Sequence, residues 1–174
     1  MSDEKKALRR QLKEIRDSIP EGLRKDYSEK ILLNLDNISE YRNAEMVLLF
    51  ADAGSEVHTD DIFLSCIQRG KSVYYPKVTG KEMCFFKVSG LNGLTPGYRA
   101  IREPAGTLDT VFHGKTADVT DKSGGTEAFD KFLTESDTLS ETVIICPGLG
   151  FTKSGEWMPV IISTFSGHRS CTYK

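Results

Sequence analysis

The sequence predicts an α/β domain in which helices pack on a largely parallel sheet. Three observations predict it. Helical-period and strand-like segments alternate through the amino-terminal half. The strand-like segments are short apolar runs bounded by turn residues, the pattern of buried strands in layered α/β proteins. The last apolar run, Val143-Ile144-Ile145-Cys146, ends in Pro147-Gly148-Leu149-Gly150. A buried strand that feeds a glycine-spaced turn at its carboxyl end is where open α/β sheets bind ligands.

Each element follows in order. Asp3 to Ser18 reads as an amphipathic helix, with Leu8, Leu12, Ile15 and Ile19 on one stripe and Lys5, Lys6, Arg9, Arg10, Lys13 and Arg16 around it. Pro20 stops that helix, and Glu21 to Leu35 forms the next. Met46 to Phe50 is a buried strand, followed by the polar turn Ala51 to Glu56. Thr59 or Asp60 then caps a helix that carries Ile62, Phe63, Cys66 and Ile67 and ends at Gly70. Ser72 to Pro76 and Met83 to Val88 are the next strands, separated by a Thr79-Gly80 turn. Gly90 to Pro104 reads as loop. From Ala105 to Glu141 the chain turns to Thr, Ser, Gly and Asp, with a short helix suggested only at Phe129, Phe132 and Leu133; a link this long reads as an excursion or a lid.

The 174 residues suit one domain with a substantial core. A net charge of −2 gives no pull toward nucleic acid or anionic membrane. The four cysteines are widely spaced with no C-x-x-C pair, which points to reduced thiols in a cytoplasmic protein. The amino terminus lacks the apolar stretch of a secretory signal, and no apolar run is long enough to span a bilayer. His58, His113 and His168 show no metal-ligand spacing.

Three separated segments then match one pattern: Lys5-Lys6-Ala7-Leu8-Arg9 opening the first helix; Gly54-Ser55-Glu56-Val57-His58-Thr59 after the first strand, with Tyr75-Pro76-Lys77-Val78; and Ile101-Arg102-Glu103-Pro104 with Pro147-Gly148-Leu149-Gly150-Phe151 and Gly155. Together they resemble the 5-formyltetrahydrofolate cyclo-ligase (5,10-methenyltetrahydrofolate synthetase) family from about Lys5 to Gly155. The resemblance implies a three-layer α/β/α, mostly parallel, Rossmann-like fold. It also implies an enzyme that uses ATP and Mg²⁺ to close 5-formyltetrahydrofolate to 5,10-methenyltetrahydrofolate; a monomer is the expectation for the chain. Lys5 and Arg9, together with Gly148, Gly150 and Gly155, would contact ATP. Glu56 would hold the folate near its reacting atoms, and Ala51 and Tyr98 would line the pterin pocket. Other readings stand beside these: Lys5 and Arg9 as a solvated helix face, Glu56 as a local cap or pair, Tyr98 as a loop anchor.

The pattern departs after Gly155. The family continues with an arginine, spaced glycines and Tyr-Tyr-Asp, and its last strands would lie beyond Lys174. Here Glu156 is followed by Trp157 at the arginine position, then Met158, Pro159, Val160, Ile161 and Ile162, with Ser163 at the metal-side aspartate. Proline lacks an N–H and valine resists positive φ, so neither replaces a phosphate-cradling glycine. An impaired enzyme is the expectation. A non-catalytic nucleotide- or folate-binding relative and a sugar-phosphate isomerase or sensor domain are the alternatives.

Overall fold

A computed structural model describes residues 3–79, 82–105, 117–118, 142–148 and 163–164. Among them lie helices α1 (Asp3–Asp17), α2 (Glu21–Leu35), α3 (Ser39–Asn43) and α4 (Asp60–Gln68). The strands are β1 (Met46–Leu48), β2 (Ser72–Thr79), β3 (Glu82–Lys87), β4 (Leu94–Pro96), β5 (Arg102–Pro104), β6 (Ala117–Asp118), β7 (Thr142–Ile144) and β8 (Ser163–Thr164). The suggested helix at Phe129 to Leu133 lies outside the described residues.

Six strands form one sheet in the order β6-β3-β2-β1-β7-β8. β1 sits between β2 and β7 and is parallel to both, while β3, β6 and β8 each pair antiparallel with their neighbour. Four of the six strands, β6, β2, β1 and β7, therefore point the same way. The ladder continues past β1, because Leu49 N–H donates to Tyr74 O at 2.8 Å and Ile145 N–H to Leu48 O at 2.9 Å.

Alternation along the strands sorts the core. Val47, Leu49, Val73, Tyr75, Val143 and Ile145 face one side and pack with Leu35 of α2, Tyr41 of α3 and Ile62, Phe63 and Cys66 of α4. Leu48, Ile144 and Phe85 face the other side and are buried as well. A sheet buried on both faces demands continuous apolar runs in its central strands, as β1 and β7 have. This is the α/β fold the sequence predicts.

Several elements differ from expectation. β2 runs three residues beyond Pro76, because β1 pairs only with Ser72 to Tyr74 and the missing N–H of Pro76 interrupts no ladder on that side. The supposed loop Gly90 to Pro104 contains a β4–β5 hairpin, closed by Gly97 N–H to Ile101 O at 2.8 Å. The one-turn α3 was not expected; it buries Tyr41 completely. β6 lies inside the polar stretch and extends the sheet edge beside β3. The strand-like apolar residues Val160 to Ile162 lie outside the described residues; Ser163–Thr164 after them form β8, antiparallel to β7. Gly70 ends α4 at φ +76°, the left-handed conformation that favours glycine.

Candidate functional site

The loop from Phe50 to Thr59 leaves the carboxyl end of β1 and is tied shut at its base. Asp52 Oδ1 accepts from Thr59 Oγ1 at 2.9 Å and from Thr59 N–H at 3.3 Å, so this side chain closes the loop onto the residue from which α4 starts. Burial pushes the Asp52 carboxyl up. The Thr59 hydrogen bonds and the Arg102 charge outweigh that, so it lies below its ordinary value of 3.8. Arg102 comes from β5 and forks onto Asp60, with Nη1–Oδ2 at 3.1 Å and Nη2–Oδ1 at 2.7 Å, while Nη2 also reaches Asp52 Oδ1 at 3.1 Å. Bidentate guanidinium–carboxylate geometry is the strongest form of such a contact. It fixes the hairpin, the loop and α4 as one unit.

Inside the loop Gly54 takes φ +61°, and Glu56 folds back so that its Oε2 accepts from Ala53 N–H at 3.1 Å. Its other oxygen faces Arg16 of α1, with Nη1 3.6 Å away. Arg16 Nε also donates to Ser55 Oγ at 3.0 Å, and Ser55 donates in turn to Asp17. The end of α1 is thus clasped to this loop. From the other side, Ser28 of α2 accepts from His58 N–H at 3.0 Å.

Between α1, α2, this loop and the carboxyl end of β7 lies a cavity of about 220 Å³. Ile31, Phe50, Ile62 and Ile145 give it apolar walls, and Arg16, Arg24 and Glu56 bring charge to it. Cys146, Pro147 and Gly148 form the β7 side. Burial pushes the Cys146 thiol up to about 11, so it is a neutral wall group at physiological pH. Concave apolar surface with a few convergent charges, placed beyond parallel strand ends, is the usual form of a small-molecule site in this fold class.

The sequence-derived candidates fall into four groups. Glu56 and Gly148 meet at the cavity. Arg9 is exposed on α1, two turns before Arg16 and on the same face; Lys5 lies one turn earlier still on the same helix. Ala51 instead packs in the core cluster at 5% exposure and does not line the cavity, because the strand alternation carries it inward with Leu49. Tyr98 belongs to the 3-10 turn between β4 and β5, and its side chain lies outside the described residues. So do Gly150, Gly155, Trp157, Met158, Pro159, Val160, Ile161 and Ile162. For Ser163 only the backbone in β8 is described.

In the sequence nothing sets Arg24 apart, Arg16 belongs to the charged surround of the first helix, and Arg102 stands only within a motif. The signal for Arg102 was its place in Ile101-Arg102-Glu103-Pro104. For Arg16 and Arg24 there was none, since cations on amphipathic helices are ordinarily solvated. Cys66, Cys84 and Cys146 are thiols, not disulfides. Among the described residues no helix is long and apolar enough to cross a membrane.

Comparison with a solved structure supports the fold. The chain is similar to the 5,10-methenyltetrahydrofolate synthetase of Aquifex aeolicus, with TM-score 0.60, 22% identity, 82% of this chain covered and 77% of that one. It also aligns with the 5,10-methenyltetrahydrofolate synthetase of Mycoplasma pneumoniae over 57% of this chain and 73% of that one, with TM-score 0.44 and 17% identity. No curated protein matches it. A sequence model of the 5-formyltetrahydrofolate cyclo-ligase family matches residues 1–158, and the chain belongs to that family.

Proposed function

We propose that this chain binds 5-formyltetrahydrofolate in the cavity beside Glu56 and belongs to the ATP-dependent route that closes it to 5,10-methenyltetrahydrofolate, with its own turnover impaired. One observation carries the reading: Glu56 stands at the wall of an apolar cavity beyond the carboxyl ends of β1 and β7, held by Arg16 and Ala53 N–H. About 220 Å³ is less than a drug-sized ligand fills. It suits a ring system such as the pterin, with the rest of the folate leaving along the open α2 side, where Tyr27 and Ile31 are exposed.

ATP would supply the phosphoryl group that turns the formyl oxygen into a leaving group. Such transfer is mostly positioning and charge neutralisation. Arg9, exposed on the face that carries Arg16, and Lys5 on the same helix are the residues that would meet phosphates, with Gly148 at the strand end. The apolar walls would exclude water from the activated carbon, and Glu56 would orient the reacting end. Mg²⁺ fits the described residues poorly. Among them no group of three or more His, Cys, Asp or Glu converges, and Asp52 and Asp60 are already held by Arg102.

A second reading, a folate binder without turnover, is favoured by Trp157, Pro159 and Val160 where the family has arginine and glycines. Calorimetry with 5-formyltetrahydrofolate, paired with an assay that follows the methenyl product with ATP and Mg²⁺, separates the readings. Binding with turnover about a hundredfold or more below an intact relative is expected, the scale of losing one preorganised anion contact. Turnover at the relative's rate would overturn the impairment, and no folate binding would overturn the site.

A further inference from the structure

Arg24 differs from every other charged group at the cavity. Arg16 and Glu56 face each other, and Glu56 also accepts from backbone. Among the described residues Arg24 has no such partner: its Nε is buried and makes no hydrogen bond. The cavity walls around it are mainly apolar. With Arg16 and Glu56 balancing each other, Arg24 is the one cavity charge left uncompensated among the described residues. Buried guanidinium nitrogens are ordinarily satisfied, and an orphan at a ligand cavity points to a partner that the ligand brings.

The position is also a prepared one. Arg24, Tyr27, Ser28 and Ile31 fall at i, i+3, i+4 and i+7 of α2, and all four line the cavity. The backbone there is pinned, because Ser28 Oγ donates to Arg24 O at 2.8 Å while accepting from His58 N–H at 3.0 Å. Guanidinium Nε and Nη donors form a planar fork that matches the two oxygens of a carboxylate.

We propose that Arg24 is a carboxylate-recognising residue of this cavity, taking a carboxylate of the substrate's glutamate end. This rests on the folate reading of the cavity. It makes Arg24 a specificity residue that separates a whole folate from a bare pterin, while Glu56 serves the reacting end.

Equilibrium binding of two probes tests it: 5-formyltetrahydrofolate, and a 5-formyltetrahydropterin that lacks the aminobenzoyl-glutamate. The proteins are wild type, Arg24→Leu and Arg24→Lys, with thermal melts as folding controls. Arg24→Leu is expected to weaken the folate about tenfold to a hundredfold and leave the bare pterin unchanged, with Arg24→Lys between. Should Arg24→Leu not fold, Arg24→Lys carries the comparison, since it keeps the charge and loses the fork. Equal losses for both probes, or no loss for either, would overturn the proposal while the folate reading stands. Failure of wild type to bind the folate would remove both.

Discussion

Arg16 of α1 points its Nη1 at Glu56 Oε1 across 3.6 Å while its Nε donates to Ser55 at 3.0 Å, so one side chain joins the first helix to the loop that frames the cavity. Both members of the ion pair are about four-fifths buried, at 22% and 23% exposure, where solvent screens less than at an open surface. Arg16→Met should cost about 1–2 kcal/mol, combining a part-buried pair with a lost hydrogen bond. Denaturant titration reads this directly. An unchanged midpoint would show that α1 is not anchored through this residue.

Glu56→Gln separates the structural role of the side chain from its proposed ligand role. The amide oxygen can still accept from Ala53 N–H, so the loop keeps its shape and stability should move by only about 0.5 kcal/mol. Affinity for 5-formyltetrahydrofolate should fall about tenfold or more, the effect of removing a charged hydrogen-bond partner. A stability loss with unchanged affinity would assign Glu56 to the loop alone.

Acid should unfold the protein partly through Asp52. Its folded carboxyl lies below the ordinary 3.8: burial alone would raise it, but Thr59 and Arg102 together prevail. The folded state therefore prefers the charged form. The stability this contributes is complete above the unfolded value and is lost as pH falls through the folded one. Arg102→Leu removes an opposing charge and lets burial act, so the acid midpoint should shift to higher pH. Circular dichroism from about pH 6 down to pH 2 follows both proteins; coincident acid transitions would mean Arg102 does not hold Asp52.

Local signals made much of the fold legible. α2 begins after Pro20 and runs to Leu35 as its sequence implies, and α4 ends just before Gly70. β1 and β7 announce themselves as apolar runs because they are buried on both faces. The β4–β5 hairpin was not legible, since three-residue strands are too short to show alternation. At the cavity, Glu56 and Gly148 could be read because they follow strand ends, a local cue. The contacts of Arg102 with Asp52 and Asp60 span 50 and 42 residues, and no local pattern encodes such a meeting. Arg24 is harder still: it looks like any helix cation until the fold sets it at the cavity wall.

The Cys146 thiol offers a probe of how dry the cavity is. Desolvation moves it from 9.0 to about 11, so its reactivity reports burial. At about pH 8 the thiolate fraction, and with it the alkylation rate, should be about a hundredfold below that of an unperturbed thiol. The rate should climb about tenfold per pH unit and show no plateau near pH 9. Mass-spectrometric mapping after timed iodoacetamide pulses assigns the label to Cys146 rather than to Cys66, whose thiol burial also raises. Because Cys146 shares the cavity with Glu56, bound 5-formyltetrahydrofolate should slow its labelling further. A rate that levels off near pH 9 would mean that water reaches the β7 side of the cavity, and labelling indifferent to the folate would place that ligand elsewhere.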